Sequence, residues 1–332
     1  MGLYRSVFRP LLFALPPETA HRLALAILRV PLPWRRIGGV EGDPRLRTDL
    51  AGIALSNPVG LAAGFDKNFH ALRALGELGF GYVVGGTVSR ALRKGNSPPR
   101  IVRLKGRDSM VNAMGLPNDG AVAAANRLQR LEKASPVLIS LADEEPGDVV
   151  ANYELLAPFV DGFELNVSSP NSPWRRDRDN QEHLRKMLVE LSARRARPLF
   201  VKLPPFHVPE ERDAVLALAG IAAEGGADGL TCSNTRPAEE PRLAAGKGGL
   251  SGSELIADTP EIVSAVRGET GLPVNASGGI FSAEDAAACI DAGATTVQVY
   301  TGLIYEGPRI VRNITLGLLP GRSSEPLRDA RY

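Results

Sequence analysis

Polar side chains end five short apolar runs of this sequence, in positions that packing alone does not require. They are Asp66, Lys67 and Asn68; Thr87, which follows Gly86; Asn166, Ser168, Ser169 and Asn171; Lys202; and Ser233, Asn234 and Thr235. A single Asn, Ser or Thr is also common in turns and helix caps, so each position alone is a weak signal. If the runs are parallel strands, these groups converge on one face and form a site for chemistry on a polar small molecule.

Three glycine-rich segments point to an anionic ligand at the same face. They are Gly248–Gly252, Ser277–Gly279 and Tyr300–Gly302. Glycine lets backbone N–H groups approach an anion closely, and a helix that starts there adds a positive dipole end. Each segment alone is also compatible with a flexible loop, but the three together predict a phosphorylated cofactor.

Lys202 is a charge inside an apolar run, Phe200–Leu203. A lysine that points into a protein interior without a partner is costly, so we expect an anionic group beside it. The N1/O2 edge of a reduced flavin would supply that charge. The alternative is an outward-facing, exposed lysine.

Eight apolar or β-branched runs alternate with stretches of helical periodicity. The runs are 58–63, 82–88, 137–141, 163–167, 199–203, 229–233, 273–276 and 296–300, and the clearest helical stretches are 180–195, 210–224 and 283–292. Eight such units predict an α/β fold, a (β/α)₈ TIM barrel, whose active site lies at the carboxyl ends of the strands. An open doubly wound sheet is the alternative, but no G-x-G-x-x-G motif opens the first helix.

Residues 1–40 differ from the rest of the chain, which we assign to the barrel as residues 41–332. They carry six arginines against one acid, Glu18, and two apolar-periodic stretches that predict short amphipathic helices. These helices form either a cap packed on the barrel or a hairpin on a membrane surface. No apolar run reaches the roughly 18–20 residues of a membrane span.

Composition excludes several classes of protein. The formal net charge is only +2, so no nucleic-acid partner is expected. The two cysteines, Cys232 and Cys289, lack metal-ligand spacing and are interpreted as small buried hydrophobic residues; no metal site is predicted.

Several ordered motifs resemble the dihydroorotate dehydrogenases over nearly the whole chain, and most are similar to the quinone-reducing class. The motifs are Glu18–Arg22, Ala63–Lys67, Gly95-Asn96, Arg100–Leu104, Ser168–Asn171, Gly248–Gly252, Ser277–Gly279 and Val297–Gly302. The resemblance implies an FMN enzyme that oxidises dihydroorotate to orotate and passes electrons to a membrane quinone. It also implies a peripheral position on the inner membrane, at its cytoplasmic face.

The same resemblance implies roles for single residues. Ser169 would remove a proton from C5 while C6 delivers hydride to flavin N5, and Ser172 would relay that proton, because a serine hydroxyl alone is a poor base. Substrate would contact Lys67, Asn112, Met114, Gly115, Leu116, Asn166, Asn171, Asn234 and Thr235. FMN would contact Ala63, Thr87, Ser140, Asn166, Lys202, Ser233, Gly249, Gly278, Gly279, Tyr300 and Thr301, with Lys202 also counted as catalytic, and the quinone would contact His21, Arg103 and Tyr300.

Some pocket motifs depart from the quinone-reducing pattern. Those around Ala113, Ser140 and Leu203–Phe206 look like the soluble, fumarate-reducing class, and Trp174 fits neither class. Yet the soluble class uses cysteine as its base and lacks the amino-terminal cap. Two alternatives therefore stand beside the leading interpretation: a related FMN enzyme that acts on another cyclic amide or uses a soluble acceptor, and a non-catalytic membrane-associated barrel.

Overall fold

The computed structural model describes residues 2–40, 42–104, 106–143, 145–168 and 178–319, with only the backbone of residues 178–180. The strands are β1 (Thr48–Leu50), β2 (Ile53–Leu55), β3 (Val59–Leu61), β4 (Tyr82–Val88), β5 (Ile101–Leu104), β6 (Ser109–Asn112), β7 (Val137–Leu141), β8 (Gly162–Asn166), β9 (Leu199–Leu203), β10 (Gly229–Cys232), β11 (Arg236–Glu239), β12 (Lys247–Gly252), β13 (Val274–Ser277) and β14 (Thr296–Val299). The α-helices are α1 (Arg9–Ala14), α2 (Pro17–Leu28), α3 (Trp34–Gly38), α4 (Leu72–Glu77), α5 (Ala121–Leu128), α6 (Pro146–Leu156), α7 (Arg178–Ser192), α8 (Pro209–Glu224), α9 (Thr259–Thr270), α10 (Ala283–Asp291), α11 (Thr301–Glu306) and α12 (Ile310–Gly317). A π-helical segment, Tyr4–Phe8, precedes α1, and short 3₁₀ helices cover Pro44–Leu46, Ala157–Phe159 and Ser253–Ala257.

Eight parallel strands close into a barrel in the order β10-β13-β14-β3-β4-β7-β8-β9. Their residues are buried throughout, because helices cover the outside and side chains fill the inside. The predicted (β/α)₈ barrel is confirmed, and three of the predicted strand ranges, 82–88, 137–141 and 199–203, match without a shift.

The amino-terminal end of the barrel is filled by apolar side chains. The β1–β2 hairpin packs Leu50, Ile53 and Leu55 against Tyr82 and Phe200, which lie near the beginnings of their strands. This leaves the opposite end, where the strands finish, for the polar side chains.

A second sheet stands beside that opposite end. It has four antiparallel strands in the order β11-β12-β6-β5. The glycine-rich segment Gly248–Gly252 lies within β12, so it is extended and not the flexible loop that the sequence also allowed. Pairing with β6 places Gly249 opposite Asn112, so the sheet brings two predicted site residues together.

The amino-terminal helices pack on this end of the molecule. The Tyr4 hydroxyl donates to the Ile304 carbonyl at 2.7 Å, and Glu18 forms an ion pair with Arg100 at 2.5 Å. The Arg103 guanidinium donates to the Leu15 carbonyl at 2.9 Å, which ties the end of α1 to β5. Among the described residues, no helix has both the length and the apolar character needed to cross a membrane.

Candidate active site

One cavity of about 710 Å³ runs from the carboxyl ends of the barrel strands to the underside of the cap. This volume is within the range of small-molecule and cofactor sites. Seventeen predicted site residues line it: His21, Ala63, Lys67, Thr87, Arg103, Asn112, Met114, Leu116, Asn166, Lys202, Ser233, Asn234, Thr235, Gly278, Gly279, Tyr300 and Thr301. Gly115, Ser140 and Gly249 do not line the cavity, and Ser169, Asn171, Ser172 and Trp174 lie outside the described residues.

Amides and hydroxyls at the barrel mouth hold one another in place. Asn234 donates to the Asn166 carbonyl oxygen at 3.0 Å and to the Ser168 hydroxyl at 3.2 Å, while Asn166 donates to the Thr87 hydroxyl at 3.3 Å. Ser140, predicted to touch the cofactor, lies behind Thr87 and shares a 2.9 Å hydrogen bond with it. The cluster is therefore ordered through its own contacts, as a binding site for a polar ring requires.

The loop after β3 carries a lysine into the cavity. Lys67 donates to the Gly64 carbonyl at 2.5 Å, and the Tyr300 hydroxyl donates to the same carbonyl at 3.1 Å. The Asp66 carboxylate accepts from the backbone N–H groups of His70 and Ala71, which fixes the loop. The pKa of Lys67 is lowered to about 8, mainly by burial; the charge of Asp66 opposes this shift and that of Arg100 contributes to it.

The cap side of the cavity is mostly apolar. The Phe65 ring lies between His21, at 5.2 Å, and Tyr300, at 5.7 Å between ring centroids. Burial, and then the charge of Lys67, lowers the pKa of His21 to about 4, so its imidazole is neutral at physiological pH. Arg103 also lines this region, and its Nε is buried without a hydrogen-bond partner among the described residues.

The glycine turns after β13 and β14 lie on the same wall of the cavity. Gly278 and Gly279 have positive φ angles of 142° and 73°, and a Cβ on Gly279 would lie 2.2 Å from the Ile256 backbone nitrogen. The first turn of α11 offers the backbone N–H groups of Thr301 and Gly302, which have no acceptor within the helix. The segment can therefore hold a phosphate group by backbone donors, and its residues fit the phosphorylated cofactor that the sequence predicts.

Lys202 lies inside the barrel mouth, as predicted, and is only 6% exposed. The anionic group expected beside it is present in the protein itself, because the Glu164 carboxylate lies 3.5 Å from its Nζ, while the contact with a reduced flavin stays a prediction. Sequence reasoning missed Glu164. Glu164 and Asn166 are two residues apart on the fourth predicted strand, so their side chains point to the same face of the sheet. Lys202 on the next strand was already predicted to face the interior, and this could have placed all three side chains inside the barrel.

No cluster of three or more His, Cys, Asp or Glu side chains capable of holding a metal ion occurs in the described part of the chain. Cys232 and Cys289 are buried free thiols, which confirms the sequence interpretation.

The protein is thus a (β/α)₈ barrel whose cavity is bounded by glycine turns and reaches beneath a helical cap. A family model described as Dihydroorotate dehydrogenase matches residues 45–320. Proteins named Dihydroorotate dehydrogenase (quinone) from Kineococcus radiotolerans and Natronomonas pharaonis are each 40% identical, over 96% of this chain and 96% and 95% of their own lengths. A crystal structure of DHODH from Eimeria tenella in complex with ferulenol has a TM-score of 0.81 at 30% identity, covering 91% of this chain and 90% of that one. This chain belongs to the dihydroorotate dehydrogenase family.

Proposed function

We propose that the protein oxidises dihydroorotate to orotate with FMN as cofactor and passes the electrons to a membrane quinone. The observation that carries the proposal is the single cavity, which joins the polar barrel mouth to an apolar region beneath the cap. One end suits a polar ring and its carboxylate, and the other suits a hydrophobic electron acceptor. The relatives named as quinone-dependent enzymes match nearly the whole chain, including the cap.

The residues between these two ends fit FMN. Backbone groups of Gly278, Gly279 and Thr301 would hold the phosphate, and Lys202, Asn166, Thr87, Ala63, Ser233 and Tyr300 would surround the ring system. When bound, FMN accepts hydride from the substrate and passes electrons on to the acceptor. Gly249 and Ser140 would support the cofactor from behind, through Asn112 and Thr87, with which they share hydrogen bonds.

The substrate side supplies orientation and proton transfer. The Lys67 ammonium would pair with the substrate carboxylate, while Asn112, Asn166, Asn234 and Thr235 would bind its ring amides. Met114 and Leu116 line the same wall, with Gly115 between them, and Asn171 completes the proposed amide set. Ser169 is the proposed base at C5, with Ser172 as its proton relay.

The acceptor side lies between the cap and the barrel. His21, Arg103 and Tyr300 would contact the quinone, and the neutral imidazole of His21 keeps this region free of an additional charge. Exposed apolar residues of the cap, with arginines among them, suit a peripheral position at the cytoplasmic face of the membrane.

The test is the anaerobic half-reaction. Dihydroorotate should bleach the oxidised flavin of the purified protein, and a ubiquinone analogue, but not fumarate, should restore its absorbance.

Ser169→Ala should keep FMN and orotate binding but slow bleaching by about 10²–10⁴-fold, as expected for loss of a general base. Flavin that dithionite reduces but dihydroorotate does not would instead identify a related enzyme with another substrate. A protein that takes up no FMN would contradict the flavoenzyme assignment altogether.

A further inference from the structure

Glu164 and Lys202 form a buried ion pair inside the barrel. The lysine side chain is 7% exposed and the glutamate side chain 1% exposed, with 3.5 Å between Nζ and Oε1. Lys202 lines the cavity, whereas Glu164 does not. The carboxylate therefore lies behind the ammonium group as seen from the cavity.

A chain of hydrogen bonds leads through the barrel interior to Glu164. Thr296 donates to the Asn275 carbonyl oxygen at 2.6 Å, Asn275 donates to the Thr231 hydroxyl at 3.3 Å, and Thr231 donates to Glu164 Oε2 at 2.8 Å. Because the Thr296 proton is committed to Asn275, the Tyr82 hydroxyl must be the donor in its 2.9 Å contact with Thr296. Every proton along the chain therefore points toward the carboxylate.

Because these donors point toward it, the Glu164 carboxylate accepts hydrogen bonds and donates none of them. Gln298 adds a further donor to Oε2 at 3.4 Å, and within the described part of the chain Oε1 has no hydrogen-bond partner besides its ion-pair contact with Lys202. Hydrogen bonds donated to the charged form of a carboxylate stabilise that form. Breaking such a buried pair by removing one partner is strongly unfavourable.

We propose that Glu164 is a positioning residue that serves as the counter-charge of Lys202. It holds the ammonium group at the cavity wall and cancels most of the positive charge that the bound flavin would otherwise experience. Reduction adds negative charge to the flavin, and a net cation beside it would favour the reduced form. Glu164 therefore keeps the midpoint potential of the flavin lower than Lys202 alone would set it. This inference rests on the proposed function only in placing FMN against Lys202.

The test is the midpoint potential of the FMN-bound protein, measured without substrate by equilibration with a reference dye near pH 6.5. Glu164→Gln preserves the shape of the side chain and removes its charge, so it should shift the potential to a more positive value. The expected change in the reduction equilibrium is on the order of tenfold or more, because the two charges interact at short range in a buried site. Glu164→Asp keeps the charge and should remain much closer to the parent protein.

Tyr82→Phe is the matched control, since it removes a hydroxyl from the far end of the same chain without changing any charge. It should lower the melting temperature and leave the potential unchanged. Equal melting-temperature losses in Glu164→Gln and Tyr82→Phe, with no shift of potential in either, would overturn the proposal.

A thermal-unfolding cycle covers the case in which Glu164→Gln does not retain FMN. Lys202→Met alone leaves the carboxylate without its cation and should lower the melting temperature, and adding Glu164→Gln should restore part of the loss. A double variant no more stable than Lys202→Met would contradict the pairing. Neither the midpoint potential nor the melting temperature is measured with dihydroorotate, so both remain interpretable if the substrate proves to be another compound. A parent protein that binds no FMN would instead contradict the proposed function itself.

Discussion

Lys67 is the residue whose protonation should control binding of the anionic ligand. Burial lowers its pKa to about 8, and its Nζ already donates to the Gly64 carbonyl, which also accepts from Tyr300. The ammonium form therefore predominates below pH 8 and the neutral amine above it. A carboxylate bound beside Lys67 would stabilise the charged form and raise that pKa, so proton and ligand binding are linked.

Orotate affinity should follow that titration. We expect the Kd of orotate to be constant below about pH 8 and to rise about tenfold per pH unit above it, since each mole of orotate then binds together with one proton. Titration of the flavin absorbance with orotate between pH 6 and 10 measures this directly.

Lys67→Arg is the control variant for this titration, because a guanidinium stays protonated over the whole range. Its orotate affinity should be weaker, since the arginine shape differs, but flat with pH. A parent protein with a flat profile would show that Lys67 does not titrate against the ligand.

At the scale of elements, Arg103 of β5 is one of the residues that attach the cap to the barrel. Its guanidinium donates to the carbonyls of Phe13 and Leu15 at the end of α1 and lies 4.4 Å from the Phe13 ring centroid. Its Nε faces a buried position without a partner among the described residues. The side chain therefore both fixes α1 and keeps one donor available to a ligand beneath the cap.

Arg103→Met should separate the two half-reactions. We expect the rate of flavin reduction by dihydroorotate to stay within about twofold of that of the parent protein. The rate of flavin reoxidation by the quinone should fall by about tenfold or more, because the loss of one charged hydrogen bond costs roughly 1.5–3 kcal/mol. Stopped-flow measurement of each half-reaction gives both rates.

Arg107→Met is the matched control, because Arg107 lies in the turn between β5 and β6, pairs with Glu254 at the surface and does not line the cavity. It should leave both half-reactions unchanged. Equal losses in both half-reactions for Arg103→Met would show that the cap only stabilises the barrel.

The elements also show what the sequence could predict. The barrel strands are recognisable because parallel strands buried on both faces are continuous apolar runs, and this gave the positions of Asn166, Lys202 and Asn234. The extended segment Gly248–Gly252 was not recognisable, since glycine has little intrinsic preference for strands and its pairing with β6 is long-range. The Glu164–Lys202 pair was missed for a related reason: its contact depends on the pairing of β8 with β9, which single runs do not report.

At the scale of the whole molecule, the exposed apolar surface is unevenly distributed. Eight of the twelve exposed large hydrophobic side chains that the structure describes lie within residues 1–40. Arg22, Arg29, Arg35 and Arg36 are exposed in the same segment. An apolar patch with cations at its edge matches the surface of an anionic membrane, where each basic residue contributes about 1 kcal/mol.

The membrane interpretation predicts binding to vesicles that contain phosphatidylglycerol. Phe8→Ser combined with Leu11→Ser should weaken this binding by about tenfold or more, because both side chains are more than half exposed and lose apolar contact with the lipid. Val122→Ser combined with Val189→Ser removes two apolar side chains of the barrel that are at least as exposed and should leave binding unchanged, as measured by vesicle co-sedimentation. Raising the salt concentration should weaken binding of the parent protein through the arginines, with the apolar contribution remaining. Equal binding by the two double variants would show that the cap patch does not face lipid, and quinone would then have to reach the cavity from solution.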